Sequence, residues 1–160
     1  MVKQIHFKTI GTIHSPFKEI KGVPIQPFCA KGVKGTIELD KNLKDGLKDI
    51  EGFSHIILIY HFHLVKNSSL QVIPFMDTQL HGIFATRSPL RPNPIGISID
   101  KLIKVVKNII YIEEVDIIDG TPLFDIKPFY PKFDNRKTNK VGWLKNKRKL
   151  SNILSDERFE

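Results

Sequence analysis

Apolar and polar residues along this chain mostly alternate in short runs, and only seldom recur at helical spacing. Period-two alternation puts successive side chains on opposite faces of a strand, so the pattern predicts a mainly β protein. Residues 5–13 (IHFKTIGTI) read as a strand with a bulge or close backbone approach at Gly11. GTIEL (35–39) alternates cleanly, and SHIILIYHFHLV (54–65) is continuously apolar and aromatic, as expected of a strand buried on both faces. LQVIPF (70–75), GIFAT (82–86), IGISIDKLIKVV (95–106), NIIYIEEVDIID (108–119) and LFDIKPF (123–129) continue the series, although alternation weakens late in 95–106. Helical spacing occurs twice. Leu43, Leu47 and Ile50 follow a candidate cap at Asp40, with Gly46 weakening the helix, and Trp143, Leu144, Leu150, Ile153 and Leu154 lie in the basic C-terminal stretch. About six strands separated by turn signals predict a single-domain, closed or nearly closed β-barrel over residues 1–134. A basic tail with a short helix is expected over 135–160.

Two proline-rich stretches interrupt the strands. HSPFKEIKGVPIQPFCAKGVK (14–34) is longer than most structureless connections in a compact domain, and such loops are usually functional. In ATRSPLRPNPIG (85–96), Pro89, Pro92 and Pro94 forbid a helix and push Ser88, Arg91 and Asn93 towards extended conformations. The result is a stiff loop that presents Arg87 and Arg91 with little entropy left to lose on binding an anion.

Charge sharpens this picture. The chain has 160 residues and a formal net charge of +8, which favours polyanionic partners such as RNA. Residues 131–160 hold nine Lys or Arg against four Asp or Glu, so +5 of that +8 lies in the tail. No apolar run approaches a membrane span, and the N-terminus alternates where a signal peptide would have an apolar core. With a single cysteine, Cys29, the composition fits a cytoplasmic protein without a disulfide framework.

The common nucleotide fingerprints, GxxxxGK[ST] and GxGxxG, are absent, as are CxxC and HExxH zinc patterns and a GxSxG nucleophile elbow. His55, His61 and His63 share strand parity and could ligate a metal, which leaves a metal-dependent barrel enzyme as one alternative. In EVDIIDGTPLFDIKPFY (114–130), Asp116, Asp119 and Asp125 surround a DGTP turn. Its continuation through Lys127, Phe129 and Tyr130 offers an acceptor, a cation and two aromatic faces, which together can hold a nitrogenous base.

Residues of about 6–134 resemble the TsaA-like (YaeB/TrmO) family. The resemblance rests on IGTIHSPFKEIKGVPIQP, GLKDIEGFSHIILIYHFH, GIFATRSPLRPNPIGIS and VDIIDGTPLFDIKPF, in the family's order and spacing. It implies a β-barrel that binds S-adenosyl-L-methionine without a Rossmann sheet, a homodimer, and methyl transfer to N6-threonylcarbamoyladenosine beside the anticodon of tRNA. Members commonly add a further C-terminal domain where this chain has its basic tail. Carried over by motif, the cofactor contacts are Ile25, Gln26, Pro27, His63, Leu64, Arg87, Ile97, Gly120, Thr121, Pro122 and Leu123. For the chemistry, Asp125 or Asp119 is expected to accept the proton. Arg91, Asn93, Lys127, Phe129 and Tyr130 are expected at the substrate, with Lys127 and the tail holding phosphates. A non-catalytic cofactor- or RNA-binding module is the remaining alternative.

Overall fold

The structure of the chain, a computed structural model, describes residues 3–147 and 152–159. Among the described residues eight strands form in chain order. They are β1 (Gly11–His14), β2 (Lys34–Leu39), β3 (His55–His61), β4 (Gln71–Val72), β5 (His81–Gly82), β6 (Ile95–Val106), β7 (Ile109–Glu113) and β8 (Thr121–Pro128). Six of them close an antiparallel barrel in the order β1-β2-β7-β6-β3-β8, while β4 and β5 pair apart. The barrel interior is filled by Ile13, Ile37, Ile56, Leu58, Tyr60, Ile110, Ile112, Val115, Ile117 and Leu123. Closure removes the exposed edges that an open sheet of this size would leave.

Gly11 lies between Leu39 of β2 and Leu123 of β8, where a Cβ would sit 2.4 Å from the Glu38 carbonyl oxygen. The close approach expected at this glycine is therefore real. The strand, however, begins at Gly11 and not at Ile5, and Ile5 and Phe7 remain exposed.

Several expectations about elements are corrected. β3 is buried on one face only, with Ile56, Leu58 and Tyr60 inside and His55, Ile57, Ile59 and His61 half-buried outside. β6, by contrast, keeps the expected bounds of 95–106 and runs unbroken for 12 residues, its weak alternation marking a register shift against β7 between Leu102 and Lys104. Of 70–75 only Gln71–Val72 is strand, and Ile83–Ala85 is a 3₁₀ turn. This excursion is held by a small second core of Val72, Ile83 and Phe159, with Phe75 and Leu90 against it. Residues 41–52 form 3₁₀ turns and not an α-helix, and Asp40 makes no capping bond through its side chain.

The tail does not run as one helix through Leu154. Gly142–Asn146 and Glu157–Phe159 are 3₁₀ turns, and Leu154 is extended, bridged to Pro24. Residues 148–151, the middle of the expected helix, lie outside the described residues. The segment beyond them returns to the long first loop. Ser155 N–H donates to the Val23 carbonyl at 2.8 Å, and Gly22 N–H donates to that of Ser155 at 3.0 Å.

Candidate functional site

The end of β3, the start of β6 and the start of β8 meet at one end of the barrel, because β3 is antiparallel to both neighbours. A cavity of about 710 Å³ opens there, within the size range of small-molecule sites. Its wall is largely aromatic and aliphatic, including Tyr60, Phe62, Phe75, Phe84, Trp143 and Phe159. Charge enters at Arg87, Arg91 and Asp116.

The two proline-rich loops do converge here. Arg87 Nη1 donates to Gln26 Oε1 at 2.7 Å, and Gln26 in turn donates to the Ile25 carbonyl at 2.6 Å. Arg87 is an exposed residue that lines the cavity, and with only Nη1 engaged its fork can still meet a carboxylate. Arg91 is employed differently. Its Nη1 donates to the carbonyls of Thr86 at 2.9 Å and Ile83 at 3.2 Å, and its guanidinium lies 5.9 Å from the centre of the Phe84 ring. Arg91 braces the loop that presents Arg87.

His63 stands where β3 turns away, with Nδ1 3.3 Å from Thr121 Oγ1. Burial and the neighbouring His61 hold the His63 imidazole below its ordinary pKa, which favours the neutral ring. Thr121 is buried and donates to the Ile118 carbonyl at 2.7 Å.

Ile25, Gln26, His63, Leu64, Arg87, Ile97 and Thr121 of the expected cofactor set line this cavity, as does Arg91. Pro27, Gly120, Pro122 and Leu123 do not, and Leu123 is sealed in the barrel core. Asn93 also lies off the cavity, its carbonyl accepting from Ile95 N–H at 2.8 Å. The expected acids are placed elsewhere. Asp125 sits on the outer wall opposite Ile59, paired with Lys127 at 2.7 Å. Asp119 binds Lys18 at 2.6 Å and accepts from Ser15 N–H at 3.1 Å, contacts that hold its carboxyl below the usual range. Phe129 and Tyr130 lie beyond Pro128, at the far end of β8, where Phe129 N–H reaches the His55 carbonyl.

The three histidines do not gather. His55 Nδ1 is 2.9 Å from Ser54 Oγ, His61 packs near Phe124, and His63 turns into the cavity. Among the described residues no group of three or more His, Cys, Asp or Glu side chains is disposed to hold a metal ion.

Sequence reasoning passed over a polar cluster inside the barrel. Ser98 Oγ contacts Asp100 Oδ1 and donates to Asp116 Oδ1 at 2.8 Å. Asp100 is fully buried, and burial, with the nearby Asp116 and Glu114 charges, pushes its carboxyl up to about 8 against the Ser98 bond. Burial pushes Asp116 up to about 7, opposed by Ser98 and Arg87. The buried Tyr60 phenol is raised well above its ordinary value, first by burial and then by these two carboxyls. The available signal was parity, since Gly96, Ser98 and Asp100 alternate with Ile95, Ile97 and Ile99.

The tail forms part of the same wall. Trp143 stacks on His81 with ring centres 4.8 Å apart and donates its indole N–H to the Ala85 carbonyl at 2.8 Å. Lys147 is paired with Asp77 at 3.3 Å, so one of the cations expected on phosphates is already engaged.

Residues 12–135 match the family described as tRNA-methyltransferase O N-terminal domain. A probable S-adenosyl-L-methionine-binding protein of Pyrococcus abyssi is 56% identical over 156 residues, covering 97% of this chain and 85% of that protein. The tRNA (adenine(37)-N6)-methyltransferase of Escherichia coli is 36% identical over 140 residues, 81% of this chain and 60% of that enzyme. The crystal structure of TrmO from Pseudomonas aeruginosa superposes with a TM-score of 0.74 at 31% identity, covering 88% of this chain and 63% of that one. The chain thus spans somewhat under two thirds of the length of these two methyltransferases.

Proposed function

This chain belongs to the tRNA-methyltransferase O N-terminal domain family, and from that premise we propose that it transfers a methyl group from S-adenosyl-L-methionine to the N6 position of an adenosine next to the tRNA anticodon. The observation that carries the reading is the cavity itself, where aromatic faces, an open guanidinium and a carboxyl converge at the barrel end. This donor set fits the cofactor. The aromatic wall suits a purine, the Arg87 fork suits the methionyl carboxylate, and Asp116 places negative charge near a sulfonium. Ile25, Gln26, His63, Leu64, Ile97 and Thr121 would complete the contacts.

The bound cofactor supplies an activated methyl group. The nitrogen lone pair forms the new N–C bond as the C–S bond breaks, and that electron pair leaves with sulfur as S-adenosylhomocysteine. The chain's own contribution is alignment, exclusion of water and removal of the nitrogen's proton. The preferred acceptor is the threonylcarbamoylated adenosine, as the resemblance to the family implies. Lys127, Phe129 and Tyr130, remote from the cavity, are assigned to RNA contacts away from the reacting base.

Such an enzyme would work in the cytoplasm as a homodimer. Ile57 and Ile59 of β3 and Ile95, Ile97, Ile99 and Ile103 of β6 face outwards, and Ile97 is 51% exposed. Because Ile95 and Ile97 also edge the cavity, a second copy on this face would close the cavity's open side. Light scattering at micromolar concentration should report a dimer, and a monomer with full cofactor affinity would contradict it. The reaction is tested by mass spectrometry of nucleosides from tRNA incubated with the protein and methyl-labelled cofactor. Label on an adenosine N6 beside the anticodon is expected, and unlabelled tRNA in every species overturns the assignment.

A further inference from the structure

We propose, resting on the methyl-transfer reading above, that Asp116 takes the proton leaving the methylated nitrogen, and that Ser98 and Asp100 position it as one half of a buried carboxyl pair sharing a single proton. Ser98 Oγ contacts Asp100 Oδ1 on one side and Asp116 Oδ1, at 2.8 Å, on the other. A hydroxyl has one hydrogen to donate, so it cannot satisfy two ionised carboxylates at once. If one acid is protonated, both contacts are good: that acid donates to Ser98 Oγ, and Ser98 donates to the other carboxylate.

The surroundings decide which acid keeps the proton. Asp100 has no solvent-accessible surface, and its Oδ2 lacks a partner among the described residues. An orphaned oxygen costs far less on a neutral acid than on an ion. Asp116 lines the cavity and feels the Arg87 guanidinium, so the negative charge settles there. The chain therefore reads Asp100 O–H to Ser98 Oγ, then Ser98 O–H to the Asp116 carboxylate. Among the described residues, the charged or titratable groups acting on the pair fit this order. Tyr60 from β3 stays protonated, Glu114 after β7 adds negative charge against ionising Asp100, and Arg87 from the proline loop favours the Asp116 anion. His63, in the same cavity, is held towards its neutral form.

The consequence is a base poised near neutral pH, where general-base catalysis is most effective. As the N–C bond forms, the nitrogen's proton passes to Asp116, and it leaves to water when the product departs. Asp100 ends the cycle with the proton it began with. Asp116 is the catalytic residue in this scheme, and Ser98 and Asp100 are positioning residues.

The test begins without cofactor. Carboxyl ¹³C NMR of aspartate-labelled wild-type protein should show two resonances titrating near neutral pH, and Asp100→Asn should reduce them to one. If every aspartate is fully ionised by pH 6, the pair does not exist and the proposal fails. With tRNA and cofactor, the acid limb of the rate profile should follow the first of these titrations. Ser98→Ala should move that limb to higher pH, because the Asp116 anion loses its donor, whereas a merely structural serine would change the rate at all pH values alike. Asp116→Asn should remove the limb and lower turnover by about 10²–10⁴-fold. Wild-type turnover in that variant overturns the assignment. Ordinary carboxyls in a protein that transfers methyl sink the base alone, while perturbed carboxyls in a protein that transfers none sink the methyl-transfer reading and the base with it.

Discussion

Replacing Asp100 with asparagine should make the protein more stable at alkaline pH than the wild type, with the advantage fading towards acid. The folded carboxyl is pushed up to about 8 by burial, against an ordinary value of 3.8 in the unfolded chain. A raised value means that the folded state keeps a proton the unfolded state has released. Wild-type stability from this group is therefore greatest below pH 3.8 and declines until pH passes about 8. Between pH 6 and 9 the decline amounts to about 3 kcal/mol, taking about 1.4 kcal/mol for each unit of unequal titration. For a chain of this length that is a difference of about 6–12 °C in Tm. The substituted side chain carries no charge to lose, and its amide can donate to Ser98 Oγ as the protonated acid does. Thermal melts of both proteins from pH 6 to pH 9 measure the gap directly. Parallel Tm curves would show that Asp100 is not held as a buried neutral acid, whatever its burial.

Arg87→Ala should weaken S-adenosyl-L-methionine binding by about 10- to 150-fold, since a charge-assisted contact of about 1.5–3 kcal/mol is lost. Calorimetry with an unchanged Kd would remove Arg87 from the site. Gly96→Ala should cost about 1–3 kcal/mol by overpacking, because the added Cβ would meet Tyr60 Cε2 at 2.3 Å and Phe62 Cζ at 2.9 Å. Denaturant melts with the wild-type midpoint would mean that both rings move aside freely. Replacing Lys145, Lys147, Arg148 and Lys149 together with Gln should flatten the salt dependence of tRNA binding by up to ~3 log–log units. The limit is below one unit per cation because Lys147 is tied to Asp77, and an unaltered slope would leave the tail as cavity wall only.

The barrel was legible because closure depends on alternation, and alternation survives in sequence. β2 was plain for this reason and β7 in part, since the strand expected over 108–119 ends at Glu113, and Gly11 was plain because an apolar run rarely keeps a glycine without a backbone neighbour to make room for. What failed were the stretches whose partner is not another barrel strand. Residues 82–86 carry strand composition, yet Ile83 is buried by Val72 and Phe159 in the second core and turns as a 3₁₀ helix. The tail's apolar spacing suggested a helix, but Leu154 pairs in extended form with Pro24 and Phe159 plugs that same second core. Long-range contacts decided both, and local periodicity does not register them.

The site was half legible for a related reason. The proline loop announced its arginines, but only geometry separated Arg87, which faces the cavity, from Arg91, which is spent on two carbonyls. The acids were harder still. Alternation in IGISID invites the isoleucines inwards and the serine and aspartate outwards, and β6 does the reverse. Gly96, Ser98 and Asp100 point into the barrel while Ile95, Ile97 and Ile99 stand half-exposed outside. Such an inversion is costly on both faces, since polar groups lose water and apolar groups keep it. It persists only if each face has a use. Inside, Gly96 admits the Tyr60 ring, and Ser98 with Asp100 supports Asp116 at the cavity. Outside, the isoleucine wall continues onto β3 through Ile57 and Ile59, as a surface awaiting a second copy would. One inverted strand would therefore tie the proposed proton acceptor to the proposed dimer face. If the dimer forms on this face, a substitution of Ile97 that prevents it is expected to alter cofactor affinity as well, because Ile97 also lines the cavity.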